Sequence, residues 1–204
     1  IQYPGIHGEI KDLAKYCEIA KSKGLKIVVA ADLLSLCILK EPACFGVDVV
    51  VGTSQRFGIP LGYGGPHAAF FATKEEYKRS IPGRIIGVSK DVDENTALRM
   101  ALQTREQHIK RARATSNICT SQVLLAVMAS MYGVFHGPIG LKEIAKKIHG
   151  LAVLLENALN KIGIKQLNEN YFDTLLLEGS SEKIRLIAEK NKINFNYISD
   201  KLFS

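Results

Sequence analysis

The sequence LKIVVAAD, residues 25–32, decides the fold class. Its apolar run Leu25–Ala31 is short and rich in β-branched side chains, which predicts a strand buried on both faces of a sheet. Similar runs follow at Val47–Val51 and His67–Ala72, and a helical pattern from Gly8 to Lys23 precedes the first strand. Strands joined by helical or looped crossovers predict an α/β fold, with a mixed, mostly parallel sheet covered by helices.

The later part of the chain changes character. Residues Lys74–Asn95 are charged and contain a Pro-Gly pair, so we predict a surface excursion there. Ile118–Met131 is apolar almost all round, which predicts a helix buried on several sides, and an amphipathic helix follows up to Gly163. The last stretch predicts a strand, a helix and a strand at Tyr171–Leu177, Ser181–Lys190 and Ile193–Ile198.

These patterns predict two domains. Residues 1–137 form the later part of a large domain, and residues 138–204 form a linking helix with an incomplete small α+β domain. Because the chain begins at Ile1 and its second domain does not close, we expect it to be a piece of a longer protein.

The composition, with 47% hydrophobic and 23% charged residues, is that of a globular protein. A net charge of +7 favours anionic partners such as nucleic acid, membranes or phosphate-bearing ligands. The four cysteines lack metal-binding spacing, so we predict no metal site and a reducing compartment. No apolar run predicts a membrane span, and no signal segment is expected.

Asp32 follows the first strand directly, where ligands gather in open α/β sheets. An Asp here also caps the helix predicted for Leu33–Leu39, which stabilises it by about 1 kcal/mol, and from position alone we favour the cap. Thr53–Phe57 follows the second strand and precedes a glycine-rich stretch whose residues permit positive φ. The glycine spacing matches neither the dinucleotide fingerprint nor a phosphate-binding P-loop.

A third cluster begins with Arg105 and His108, continues with further basic residues and ends on Thr115, Ser116 and Asn117. Any of the last three can cap the following helix, and basic side chains beside a helix N-terminus suit phosphate. A capped helix with a solvated basic face is the simpler interpretation. Nucleic-acid binding would favour aromatic stacking residues here, and the stretch has none.

Several long strings match a known family in order. They are residues 54–71, SQRFGIPLGYGGPHAAFF, residues 82–84, PGR, residues 102–108, LQTREQH, and residues 114–120, ATSNICT. The chain resembles the P-protein of the glycine cleavage system from Ile1 to about Phe172, and more loosely from there to Ser204.

The resemblance implies a pyridoxal-phosphate (PLP) enzyme of fold type I with two homologous halves, of which only the second carries the lysine that binds the cofactor. This chain resembles the later part of the first half. Asp32 has the position of the acid that pairs with the cofactor's pyridinium nitrogen, and Gln55 falls where the lysine would stand. Because an amide cannot form that covalent bond, the resemblance implies a degenerate half-site with no catalytic residue.

In fold type I dimers, a loop before the corresponding helix binds the partner's cofactor phosphate through a hydroxyl and backbone N–H groups. The resemblance therefore assigns Thr115, Ser116 and Asn117 to the PLP phosphate of the catalytic half. It leaves Arg105 and His108 open as further contacts.

The implied activity is that of glycine dehydrogenase (aminomethyl-transferring), an oxidoreductase also called glycine decarboxylase. Glycine is decarboxylated on PLP, and the aminomethyl group passes to the lipoyl arm of H-protein with release of CO2. The implied assembly is a homodimer of long chains or a heterotetramer with a separate catalytic subunit. A bacterial enzyme would be cytoplasmic and a eukaryotic one mitochondrial.

We expect this piece alone to be inactive. Two alternatives remain open: an assembly half with no residue in the active site, and a basic nucleic-acid-binding domain.

Overall fold

The structure is a computed structural model that describes residues 1–116 and 122–204. In chain order its elements are β1 (Gln2–Tyr3), α1 (Leu13–Ser22), β2 (Val28–Ala31), β3 (Val49–Thr53), β4 (Ala69–Thr73), β5 (Ile85–Lys90), β6 (Thr96–Ala101), α2 (Gln107–Lys110), α3 (Val123–Lys161), β7 (Lys165–Gln166), β8 (Leu177–Glu178), α4 (Ser181–Lys190), β9 (Tyr197–Ser199) and β10 (Leu202–Phe203). The chain divides into two compact units, residues 1–71 with 124–204 and residues 72–123.

The first sheet has the strand order β1-β2-β3-β4, and the β1–β2 and β2–β3 pairs are parallel. The α/β prediction is confirmed, and all three predicted strands form, the first and third shortened and the second shifted by two residues. Val29 and Ala31 of β2 are buried in one core cluster with Leu13 and Cys17 of α1. Val28, however, is 48% exposed, so the prediction that this strand is buried on both faces is wrong for this chain. Alternating side chains of a strand face opposite sides, and only one side of β2 is covered within the described residues.

Helix α3 is broken at Gly137, whose φ of 60° and ψ of 179° are not helical, and Pro138 follows. The break separates an apolar first part from an amphipathic second part, as the sequence pattern predicts. The prediction that the first part is buried on several sides is wrong for the described residues, because its apolar side chains, such as Leu124 and Met131, are largely exposed. The predicted start at Ile118 lies outside the described residues. The predicted domain boundary between residues 137 and 138 falls at this break, and it stays a prediction.

Among the described residues, α3 is long and apolar enough by length and composition to cross a membrane, with a mean hydropathy of 1.5 over its most apolar window. Core helices of globular proteins can have the same length and composition, but they are mostly buried, whereas only 6% of this apolar window is buried. The expectation that no apolar run is long enough for a membrane span is therefore not met by length and composition, although the non-helical Gly137 interrupts this helix.

A second, antiparallel sheet lies near the carboxyl end, with the order β7-β8-β10-β9. Helix α4 has the predicted bounds, and Ala152 of α3 packs with Leu177 and Phe203 in the core of this part. The predicted strand Tyr171–Leu177 is wrong over most of its length. Its first residue pairs instead with Glu9 in an isolated bridge, so this segment lies against the chain before α1.

Residues 72–123 contain more regular structure than the predicted surface excursion. Strands β5 and β6 form an antiparallel hairpin in which Ile85 faces Ala101 and Lys90 faces Thr96. The Asp91 carboxylate closes the turn by accepting hydrogen bonds from the backbone N–H groups of Asp93 and Asn95, at 2.8 and 3.0 Å.

Candidate functional sites

The first candidate site lies in the larger unit, at the carboxyl ends of β2 and β3. Asp32 follows β2, and its Oδ1 accepts a hydrogen bond from the Leu34 backbone N–H at 3.0 Å. Its backbone carbonyl accepts another from the Ser35 hydroxyl at 2.8 Å. The residue therefore stabilises the turn that leads into a short 3₁₀ helix at Ser35–Cys37, which agrees with the capping interpretation.

The other oxygen of Asp32 binds Arg56. One terminal nitrogen of Arg56, Nη1, lies 3.1 Å from Asp32 Oδ2 and 2.6 Å from Asp173 Oδ2. The guanidinium also lies over the Phe172 ring, 5.4 Å from its centroid. The three charged side chains are only 22–32% exposed. One cation therefore joins two partly buried carboxylates that are 141 residues apart in the chain, 32 and 173.

Electrostatics at Asp32 reflects both burial and pairing. Burial raises the pKa of this carboxyl above its ordinary value, and the positive charge of Arg56 opposes that rise. The nearby Asp173 carboxylate adds to the rise. Two carboxylates sharing one cation leave a net negative charge, so the site has no spare positive charge for a further anion.

Gln55 lies in the turn between β3 and Arg56. Its backbone N–H donates to the Thr53 hydroxyl at 3.2 Å, and its carbonyl accepts from the Ile59 N–H at 3.1 Å. Asp32 and Gln55 were expected at this site from the sequence, whereas Phe172 and Asp173 were not. No pattern in the neighbouring sequence indicates these two residues, because they reach this edge of the sheet through tertiary contacts with Arg56.

The second candidate site lies within residues 72–123. Arg105 is only 4% exposed, and its Nη1 and Nη2 donate to the backbone carbonyls of Ile81 and Gly83, each at 2.6 Å. The neighbouring Glu106 is 2% exposed, and its Oε2 accepts from Arg84 Nε at 3.3 Å. The Arg105 side chain thus uses both terminal nitrogens to fix the loop before β5. A phosphate contact would need those same donors.

The predicted hydroxyl loop attaches to the same pair of residues. The Ser116 backbone N–H donates to the Arg105 carbonyl at 3.2 Å, and Ser116 forms a parallel bridge with Glu106. Thr115 is exposed, and its hydroxyl donates to the Arg79 carbonyl at 3.1 Å. Asn117 lies outside the described residues.

His108 is exposed on α2, and within residues 1–116 and 122–204 no hydrogen bond joins its ring to this cluster. No group of three or more metal-ligating side chains occurs in the same part of the chain. The donors of this site that solvent reaches are the Thr115 hydroxyl and the Arg84 guanidinium, and both suit an oxyanion.

Solved structures define the class of protein. The chain matches aspartate aminotransferase from Thermus thermophilus with a TM-score of 0.58 and 15% identity, over 97% of this chain and 54% of that one. It matches a crystal structure of glycine decarboxylase (P-protein) of the glycine cleavage system, in inhibitor-bound form, with a TM-score of 0.90 and 35% identity. That match covers 100% of this chain and 49% of the other. The fold is that of fold type I PLP-dependent enzymes, as the resemblance implied.

The family model described as glycine cleavage system P-protein matches residues 1–204, and the chain belongs to this family. It is 63% identical to the glycine dehydrogenase (decarboxylating) of Christiangramia forsetii, over 97% of this chain and 21% of that protein. It is 54% identical to the mitochondrial glycine dehydrogenase (decarboxylating) 1 of Arabidopsis thaliana, over 97% of this chain and 19% of that protein. The chain thus spans about a fifth of the length of these relatives.

Proposed function

We propose that this chain is a segment of glycine decarboxylase, which decarboxylates glycine on PLP and transfers the aminomethyl group to the lipoyl arm of H-protein with release of CO2. The match of the P-protein family along all 204 residues carries this proposal. The proposed partners are the catalytic half of the enzyme, in the same chain or a second subunit, and lipoylated H-protein.

We propose further that the chain belongs to the half that does not bind PLP covalently. PLP requires a lysine for its aldehyde and, in this fold, an acid for its pyridinium nitrogen. Here position 55 offers an amide, and both oxygens of Asp32 already have partners, the Leu34 N–H and Arg56. A pyridinium ring would have to displace the guanidinium, so the residues at this edge of the sheet do not fit the cofactor.

Covalent labelling tests this assignment. Incubating the chain with PLP and then with borohydride should leave residues 54–56 unmodified, because an amide forms no such bond and an arginine stays protonated. Peptide mapping by mass spectrometry separates these positions from surface lysines, which are expected to react. The Gln55→Lys variant is the matched control for detecting an amine adduct there. A reduced adduct within residues 54–56 of the unsubstituted chain would contradict the assignment.

The role that we propose for this half is to hold the phosphate of the cofactor bound by the catalytic half, through Thr115 and Ser116. Two observations support it: Ser116, itself only 4% exposed, fixes the loop to the Arg105 carbonyl, and Thr115 is exposed. That hydroxyl would turn its proton from the Arg79 carbonyl to a phosphate oxygen. Arg105 then acts by fixing the loop, since its Nη donors bind carbonyls. Asn117 and His108 stay predictions as further contacts.

Bound in the other half, PLP supplies the electron sink for the decarboxylation. The residues of this chain do none of the bond breaking in this proposal. Their hydroxyl groups orient the cofactor by its phosphate, and a well-oriented cofactor lowers the entropic part of the barrier.

A double variant tests the phosphate role. In the intact enzyme, Thr115→Ala with Ser116→Ala should weaken PLP binding by at least roughly 10- to 100-fold, because the loss of one charge-assisted hydrogen bond costs about 1.5–3 kcal/mol. Equilibrium titration of the apoenzyme by cofactor absorbance measures the change. Thr96→Ala, at an exposed site on β6, is the control and should change nothing. Unchanged affinity and turnover in the double variant would favour a purely structural half.

One observation supports the alternative that this half only assembles the complex. The first part of α3 exposes large apolar side chains that a stable globular surface rarely presents together, Val127, Met131, Val134 and Phe135. Since the chain spans about a fifth of its relatives' length, we propose that the rest of the enzyme covers this face. Such packing is compatible with the phosphate role and would also serve a half that only assembles the complex.

The relatives include bacterial proteins and a mitochondrial plant protein. We propose the cytoplasm for a bacterial source and the mitochondrion for a eukaryotic one. We also propose a homodimer of long chains or a heterotetramer, since each places this half beside a catalytic half.

A further inference from the structure

Arg84 is the cation of the second site that the sequence analysis did not select. It directly follows Ile81–Gly83, the segment whose carbonyls Arg105 fixes at 2.6 Å. Its Nε donates to Glu106 Oε2 at 3.3 Å. The Arg84 side chain is 61% exposed, whereas the Glu106 side chain is 2% exposed. A buried carboxylate therefore binds an exposed guanidinium by its inner nitrogen.

This contact leaves the outer face of the guanidinium for a ligand. A guanidinium carries five N–H donors in a planar fork, and its two terminal nitrogens match two oxygens of a carboxylate or a phosphate. Within residues 1–116 and 122–204, neither terminal nitrogen of Arg84 has a hydrogen-bond partner. In the same part of the chain the buried Oε1 of Glu106 also has none, so the Glu106 side chain orients Arg84 and no other group.

The oriented guanidinium is tied to the hydroxyl loop through Glu106. The Glu106 side chain holds Arg84, and the Glu106 backbone bridges Ser116, which follows Thr115. Residues 72–123 carry ten Lys and Arg side chains against six Asp and Glu side chains, so the surroundings favour an anion. Arg105 is only 4% exposed and both its terminal nitrogens already bind carbonyls, so Arg84 is the accessible guanidinium of the two.

We propose that Arg84 is an anion-binding residue, whose terminal nitrogens bind a phosphate monoester together with the hydroxyl of Thr115. The inference rests on the proposed function and makes the PLP phosphate of the catalytic half the ligand. In this arrangement Glu106 is a positioning residue, which acts on the ligand only through Arg84.

Binding of PLP and of pyridoxal, which lacks the phosphate, tests the proposal in the intact apoenzyme. Arg84→Gln should weaken PLP binding roughly 10- to 100-fold, as expected for the loss of a charge-assisted contact, and should leave pyridoxal binding unchanged. Arg84→Lys should weaken PLP binding less, because it keeps the charge and loses the fork. Arg99→Gln, at an exposed site on β6, is the matched control and should have no effect.

Each other outcome overturns the inference in a recognisable way. If the Thr115→Ala, Ser116→Ala variant weakens PLP binding and Arg84→Gln does not, the inference fails and the proposed function stands. If neither variant weakens binding, the proposed phosphate role fails with it. If Arg84→Gln weakens pyridoxal and PLP equally, Arg84 only neutralises the buried Glu106. If the Arg84→Gln variant does not fold, PLP and pyridoxal binding are compared in the Arg84→Lys variant instead.

Discussion

Replacing Arg56 with methionine should lower the free energy of unfolding of the chain by about 2 kcal/mol. Methionine keeps much of the side-chain volume, but it leaves Asp32 and Asp173 without their shared cation and removes the contact with the Phe172 ring. Fully buried pairs cost about 3–5 kcal/mol when one partner is removed, and partial exposure reduces that figure here. Urea unfolding followed by circular dichroism measures the change.

Lys146→Met is the control for this substitution. Lys146 pairs with Glu143 one helical turn away on α3, at 2.8 Å, and both side chains are more than half exposed. Such a pair is worth about 0.3–0.5 kcal/mol, so its loss should be barely measurable. Equal effects of the two substitutions would show that the Arg56 contacts contribute no more than a surface ion pair.

Acid should partly rescue the Arg56→Met variant. Burial already raises the pKa of Asp32 in the folded protein, so the folded state binds this proton more tightly than the unfolded state does. The Asp32 contribution to stability therefore falls as the pH rises through the titration of this group. Without Arg56 the pKa should rise further, and the variant should lose less stability relative to the parent chain at pH 5 than at pH 7. A constant difference at both pH values would contradict this assignment of the pairing.

Gly8→Ala should have the larger effect, with a loss of about 3 kcal/mol or more. Gly8 has a φ of 89°, which an alanine adopts only with strain. An added Cβ would also lie 2.1 Å from the Thr174 carbonyl oxygen, a backbone atom that cannot turn aside. The substitution should push apart the loop before α1 and the segment that carries Asp173. Urea unfolding of the variant measures this loss.

The Gly24→Ala variant separates the cost of backbone strain from the cost of a steric clash. Gly24 also has a positive φ, 65°, but nothing lies within 4 Å of an added Cβ. Its substitution should cost about 1–2 kcal/mol, the strain alone. If Gly8→Ala costs no more than Gly24→Ala, the close approach between Gly8 and Thr174 does not contribute to stability.

Sequence patterns predicted those helices and strands whose secondary structure depends mainly on residues close together in the chain. The β-branched run before Asp32 predicts β2, and the apolar spacing of Ser181–Lys190 predicts α4. The hairpin β5–β6 escaped prediction because charged residues fill its turn, as they do in a surface loop. The pairing of its strands depends on contacts between them, whereas the sequence of one strand shows only the alternation of apolar and polar residues.

The two candidate sites were partly predictable for the same reason. Asp32 and Gln55 could be selected because each follows a predicted strand, and Gln55 also lies in a family string. Asp173 could not be selected, because its partner Arg56 is 117 residues away in the chain. The sequence around either residue does not indicate that the two side chains pair.

The sequence by itself determined the family, the α/β class and the absence of an amine at position 55, since these depend on residue types and their order. The tertiary structure alone decided which cations are available to a ligand. Arg105 and Arg84 are both arginines in family-matching strings, but Arg105 is buried with its terminal donors on two carbonyls, and Arg84 is exposed and held by its inner nitrogen. The physical reason is that a side chain's capacity to bind depends on which of its donors already have partners, and those partners come from segments that only folding brings together.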